Sequence, residues 1–145
     1  MTLKTTLACA FIAIALSASA IAQDSPSAAG AKVYFINLKD GDTVSSPVVV
    51  KFGLVGMGVS PAGLQGDATA GTGHHHLLIN TELTGSAIKE AIPMDDNHRH
   101  FGKGQTEATI ALPAGTHTLQ LVLADWTHVP HAPPVMSERI KIIVK

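Results

Sequence analysis

Cysteine is nearly absent from this chain of 145 residues, where Cys9 stands alone. It falls inside an N-terminal stretch that reads as an export signal, so a chain processed there keeps no thiol. No disulfide could then form, even in an oxidising compartment, and stability must come from packing and hydrogen bonds. Any soft-metal site must also manage without thiolate, using His and at most Met. Aromatics are scarce, with one Trp and one Tyr, which weakens a carbohydrate-stacking reading. Basic runs are missing: 10 Lys and Arg against 11 Asp and Glu leave a net charge of −1. Nucleic acid, whose binding needs clustered cations, is not an expected partner. After the first residues no long apolar run occurs, so no membrane span is expected in the mature protein.

The export signal is read over residues 1–22. Lys4 supplies the positive start, residues 7–16 (LACAFIAIAL) the apolar run, and Ala20-Ile21-Ala22 the small-x-small pattern before a cut at Gln23. The run is shorter than the roughly 20 residues that cross a bilayer. Lipid attachment at Cys9 is the disfavoured rival, because most of the apolar run follows the cysteine instead of preceding it. Export of this kind implies a periplasmic location. Residues 23–31 (QDSPSAAGA) read as a flexible lead, and residues 32–145 as one domain, long enough for a real core and too short for two.

Within that domain, short apolar segments alternate with turn signals. Strands are expected over residues 33–36, 48–55, 75–80, 106–112, 117–124 and 138–144, with Pro113-Ala114-Gly115 as a hairpin signal between two of them. Residues 86–91 suit a single helical turn. Residues 56–73, 93–104 and 125–134 read as loops rich in Gly, Pro or charge. Six or seven short strands with almost no helical periodicity predict an all-β fold, an immunoglobulin-like Greek-key sandwich. Leu119, Leu121 and Leu123 share one strand face and should point to the core, as should Ile140, Ile142 and Val144.

Histidine is the residue in excess. All eight lie beyond the signal: His74, His75, His76, His98, His100, His117, His128 and His131. In a strand, His74 and His76 project from one face with Cβ atoms about 7 Å apart, and their imidazoles can converge on an ion at M–N distances of about 2 Å. His98 and His100 repeat the spacing, and His128 and His131 flank the rigid Val129-Pro130. These six are the candidate metal ligands, suited to copper or zinc. Met136 is a further candidate that would favour Cu(I). Asp95, Asp96, Asp125 and Glu107 are candidates to support the ligands from behind. Plainer readings stand beside these. His75 can pack into the core with Leu77 and Ile79. His117 follows Pro-Ala-Gly-Thr on the leucine face, as a buried structural histidine would. His128 and His131 can satisfy carbonyls in a proline-rich loop. Arg99 and Lys103, near Gly102 and Gly104, could bind an anion or simply line a solvated loop.

The segments Gly73 to Asn80 (GHHHLLIN), His100 to Glu107 (HFGKGQTE), Pro113 to Asp125 (PAGTHTLQLVLAD) and His128-x-Pro130-His131-x-Pro133-Pro134-Val135 together resemble a bacterial family of exported domains of unknown function, the DUF4399 type. The resemblance covers nearly all of the chain from Val33. It implies a periplasmic immunoglobulin-like sandwich and supplies no activity. A weaker similarity to copper/zinc superoxide dismutase, also a sandwich with His-x-His, fails in detail. The disulfide cysteines and a counterpart to the metal-bridging segment are missing, so that activity is not expected.

Three functions follow. The first is a small periplasmic metal-binding module for storage, delivery or sensing, with a metal ion or a periplasmic protein as partner. The second is a non-catalytic interaction domain of the cell envelope with structural histidines, or a pH-responsive surface. The third is a metal-dependent enzyme that uses Glu107 or Asp96 as base. No nucleophile elbow or ordered triad is present, so the sequence leans away from an enzyme.

Overall fold

In the computed structural model, which describes residues 25–64 and 70–145, the alternating segments become strands. They are β1 (Lys32–Phe35), β2 (Thr43–Val44), β3 (Val48–Val55), β4 (Gly58–Val59), β5 (Thr72–Ile79), β6 (His98–Phe101), β7 (Glu107–Ile110), β8 (Gly115–Ala124), β9 (Pro130–Met136) and β10 (Ile140–Val144). The export signal, its cut before Gln23, and Cys9 lie outside the described residues. Among the described residues, no helix is long and apolar enough to cross a membrane.

The fold is an all-β sandwich of unequal sheets. One sheet has three strands in the order β1-β3-β7. The other has seven: β2, β10, β8, β5 and β4 in order, with β6 also on β5 and β9 also on β8. The leucine stripe faces inward as its alternation requires. Leu119, Leu121 and Leu123 meet Leu77, Ile79, Ile140, Ile142 and Val144 of their own sheet, and Val33, Val48, Val50 and Phe52 of the other.

Three sequence expectations change. The Pro113-Ala114-Gly115 turn does not close a hairpin: β7 pairs with β3, whereas β8 pairs with β5, β9 and β10, so the chain passes from one sheet to the other. Residues 93–104 and 125–134, read as loops, contribute strands β6 and β9. The segment His-Arg-His-Phe has no apolar alternation to announce a strand. The prolines of β9 are tolerated at a sheet edge, where a missing N–H leaves no ladder bond unmade. The helical turn is a 3-10 turn over Gly85–Lys89.

A second apolar cluster lies on the outer face of the seven-stranded sheet. There Leu78, Val122 and Ala124 are covered by Leu83 and Ile92, with Ala87, Ile88 and Met136 against them. The segment from Thr81 to Ile92 therefore roofs the outer face, and β5 is buried on both sides from Gly73 to Ile79. The lead, flexible by composition, is held at its described end. Ser27 N–H donates to the Ala132 carbonyl (3.2 Å) and Ala132 N–H to the Ser25 carbonyl (2.9 Å).

Candidate metal centre

The pleat of β5 sorts its three histidines. His75 turns inward, with Leu77 and Ile79, while His74 and His76 turn outward with Leu78. The ladder sets His76 opposite His100 of β6 and opposite Val122 of β8, and His74 opposite Ala124. Small residues clear the space. A Cβ on Gly102 would overlap the Cε1 and Nε2 atoms of His100, whose ring lies over that glycine.

The fourth ring comes from the turn after β8. The carboxylate of Asp125 is buried and accepts four hydrogen bonds. Thr127 N–H (2.8 Å), Thr127 Oγ1 (2.6 Å) and Val129 N–H (3.1 Å) donate to Oδ1, and Ser25 Oγ (2.6 Å) donates to Oδ2. Burial pushes its pKa up, but these bonds outweigh burial and hold it below the usual carboxylate value. His128 N–H donates to the Asp125 carbonyl and Asp125 N–H to the Val129 carbonyl, each at 2.9 Å. Inside this turn His128 adopts a left-handed φ of 72°. Such a conformation costs a non-glycine residue on the order of 1 kcal/mol and persists where its surroundings enforce it.

The result is a nest of four imidazoles. Ring centroids lie 4.8 Å apart for His74–His76, 4.9 Å for His74–His100, 5.1 Å for His74–His128 and 5.1 Å for His76–His100. The remaining pairs are His76–His128 at 6.0 Å and His100–His128 at 4.8 Å. One nitrogen each of His74, His76 and His100 falls within a mutual 4.8 Å. The Nε2 atoms of His74 and His76 approach to 2.9 Å. Ligands at about 2 Å from one ion stand roughly 3–4 Å from each other, so this cluster could hold a metal.

Burial and mutual repulsion favour the neutral form of three of the rings. Burial, then the charges of His100 and His128, lowers the pKa of His74 to about 4, against an opposing pull from Asp125. Burial, followed by repulsion from His74, His100 and His128, brings His76 to about 2. His100 is lowered by burial and by His128. Neutral imidazole is the form that offers a lone pair to a metal. Among the described residues, Nδ1 of His74, Nδ1 of His76 and Nε2 of His100 are buried without a hydrogen-bond partner. Buried polar atoms are normally paired.

The other candidates lie elsewhere. His98 shares the face of His100, but its Nδ1 bonds Asp95 Oδ1 at 2.8 Å, and no ring contact joins it to the four. Asp95 also accepts the N–H groups of Asn97 and His98, so it shapes the start of β6 and supports no ring of the nest. Asp96 pairs at the surface with Arg99 (3.2 Å). That contact occupies the arginine proposed for an anion, while the Lys103 N–H takes Gln105 Oε1. Glu107 is exposed on β7 in the other sheet, opposite Lys51. Asp125 accepts no imidazole N–H and acts on the nest through the turn it builds. Met136 packs beside Leu78 and Val122 in the apolar cluster.

His131 lies over Gly73, where a Cβ would come within 2.8 Å of its Nε2, and its Nδ1 donates to the Ser25 carbonyl (3.2 Å). His75 stacks 5.1 Å from Phe52 in the core. His117 is the buried structural histidine its position suggested. Its Nε2 donates to the Pro113 carbonyl (2.9 Å), and its Nδ1 accepts from Asn80 Nδ2 (3.0 Å). Sequence reasoning missed the part of Gly102. The available signal was a glycine two residues after a histidine of a His-x-His pair, on the same strand face.

No curated protein and no solved structure matches the chain. A family model does match, over residues 50–145, which takes in every histidine of the nest; the chain belongs to the family described as a domain of unknown function, DUF4399.

Proposed function

We propose that this protein is an exported metal-binding module of the periplasm, taking copper or zinc for storage, delivery or sensing. His74, His76, His100 and His128 are the ligands. The observation that carries the reading is the convergence of four imidazole rings from two strands and a turn, with three nitrogens within a mutual 4.8 Å. Such a donor set is neutral and lacks thiolate, which suits Cu(II) or Zn(II) above Mg(II) or Ca(II). Loops could bring histidines near by chance, but here the Nε2 atoms of His74 and His76 stand 2.9 Å apart, and Nδ1 of each ring and Nε2 of His100 are buried without a hydrogen-bond partner among the described residues.

Titration of the purified protein with Zn(II) and Cu(II) against a chromophoric chelator tests this. One equivalent should bind with sub-micromolar affinity, and His76→Ala should remove that binding. Equal affinity in wild type and variant overturns the site. A second reading, an envelope interaction domain, draws on the outer face of the three-stranded sheet. Tyr34, Ile36, Val49 and Val55 are exposed there, a patch of the kind that marks protein contacts.

A further inference from the structure

Metal ligands in proteins are held by what lies behind them. For His74, His76 and His100 that support is the sheet ladder. For His128 it is one carboxylate. Asp125 collects Thr127 and Val129 around Oδ1, and this fixes the turn in which His128 takes its left-handed φ. Its other oxygen, Oδ2, is not spent on the turn. It receives Ser25 Oγ at 2.6 Å, from a residue 100 positions earlier in the sequence.

The same lead residue is gripped from behind. The Ser25 carbonyl accepts both Ala132 N–H (2.9 Å) and His131 Nδ1 (3.2 Å), and Pro26 forms a parallel bridge with Ala132. Ser27 then adds Oγ to the Pro133 carbonyl (2.8 Å). The lead thus touches the two ends of one segment, Asp125 before His128 and His131–Pro133 after it. Residues 25–27 and the His128 turn share a carboxylate, so whatever orders one favours the other.

We infer that Asp125 is the positioning residue for the ligand His128 and that, through Ser25, it couples docking of residues 25–27 to metal occupancy. The inference rests on the metal-binding reading above. A bound ion fixes His128 and its turn, which sets Oδ2 for Ser25. A docked Ser25 in turn restrains the carboxylate and the turn, and so raises metal affinity. Linkage makes the two effects equal in factor.

Zn(II) affinity measured by chelator competition separates this from general loosening. Ser25→Ala removes only the hydroxyl on Asp125 and should weaken Zn(II) binding about five- to tenfold. Ser27→Ala breaks a lead contact that does not reach Asp125 and should weaken Zn(II) binding clearly less than Ser25→Ala does. In a His128→Ala background, the Ser25→Ala effect should vanish. Independently, Zn(II) should slow hydrogen exchange at the Ser27 and Ala132 amides in wild type, and less so in Ser25→Ala. Wild-type affinity in Ser25→Ala, equal weakening by Ser27→Ala, or a Ser25→Ala effect that persists without His128 each overturns the coupling and leaves the metal site standing. Absence of Zn(II) and Cu(II) binding in the wild type overturns both.

Discussion

The two faces of the seven-stranded sheet put the same residue to different uses. On the inner face, His75 rests on Phe52 and His117 is bonded at both nitrogens, to Asn80 and Pro113. Each inner histidine has neighbours of another kind, although both ring nitrogens of His75 are buried without a hydrogen-bond partner among the described residues. On the outer face, His74, His76, His100 and His128 are surrounded by one another. An imidazole met by carbonyls or an aromatic ring is a packing element. Imidazoles that meet each other around shared space could hold a cation. The faces differ in chemistry although residues from both stand side by side in one strand.

Acid should act on both faces at once and gives the largest effect. In the unfolded chain these imidazoles take up protons near pH 6.5, whereas His74 and His75 in the folded protein stay neutral down to about 4. For His75 the cause is burial, opposed by the nearby backbone carbonyl of Gln105. Between those values the unfolded state binds more protons, so stability falls as pH falls. The loss is on the order of 3 kcal/mol for each group. Urea unfolding of metal-free protein at pH 7.5 and pH 4.5 measures it. A flat profile would mean that the rings are not buried neutral in solution.

Truncating the inner face should cost stability and spare the metal. Leu77 is fully buried between the sheets, and Leu77→Ala should destabilise by about 2–5 kcal/mol. One equivalent of Zn(II) should still bind at a temperature where the variant is folded. The converse substitution, His76→Ala, should weaken Zn(II) binding by more than about a hundredfold, beyond the usual effect of a residue that merely supports a ligand. With that variant, excess Zn(II) should no longer raise the unfolding midpoint, whereas wild type at a hundredfold excess over Kd gains about 2.7 kcal/mol. A variant that keeps the Zn(II) shift would merge the two faces into one structural class. The smallest effect belongs to His117→Ala. It leaves the Asn80 amide and the Pro113 carbonyl short of a partner, at about 1–3 kcal/mol, with Zn(II) affinity unchanged.

Much of this was legible in the order of residues. The strand of Val48–Val55 was read to its ends, and period-two alternation placed Leu119, Leu121 and Leu123 in the core. The same period split His75 from His74 and His76. Strand β6 was hidden because alternation of two histidines with Arg99 and Phe101 carries little hydrophobic contrast. Strand β9 was hidden because Pro130, Pro133 and Pro134 argue against a strand everywhere except at an edge. The roof over Leu78 was not legible either, since a 3-10 turn and extended loop have no period.

By itself the sequence determined which residues could act as ligands and which strand face each would take. It set the all-β character, the absence of any cysteine beyond Cys9, and the supply of histidines in His-x-His pairs. These are local matters, decided by side-chain chemistry and by a pleat that repeats every two residues. Only the tertiary structure decided which histidines meet. His100 joins His74 and His76 because β6 pairs with β5 in a register that sets it opposite His76, and His128 joins them through the turn that Asp125 holds. His98 and His131 have the same imidazole and similar spacing, and they turn to Asp95 and Ser25 instead. Strand pairing and turn closure join residues far apart in the chain, and nothing in the spacing of neighbours records them.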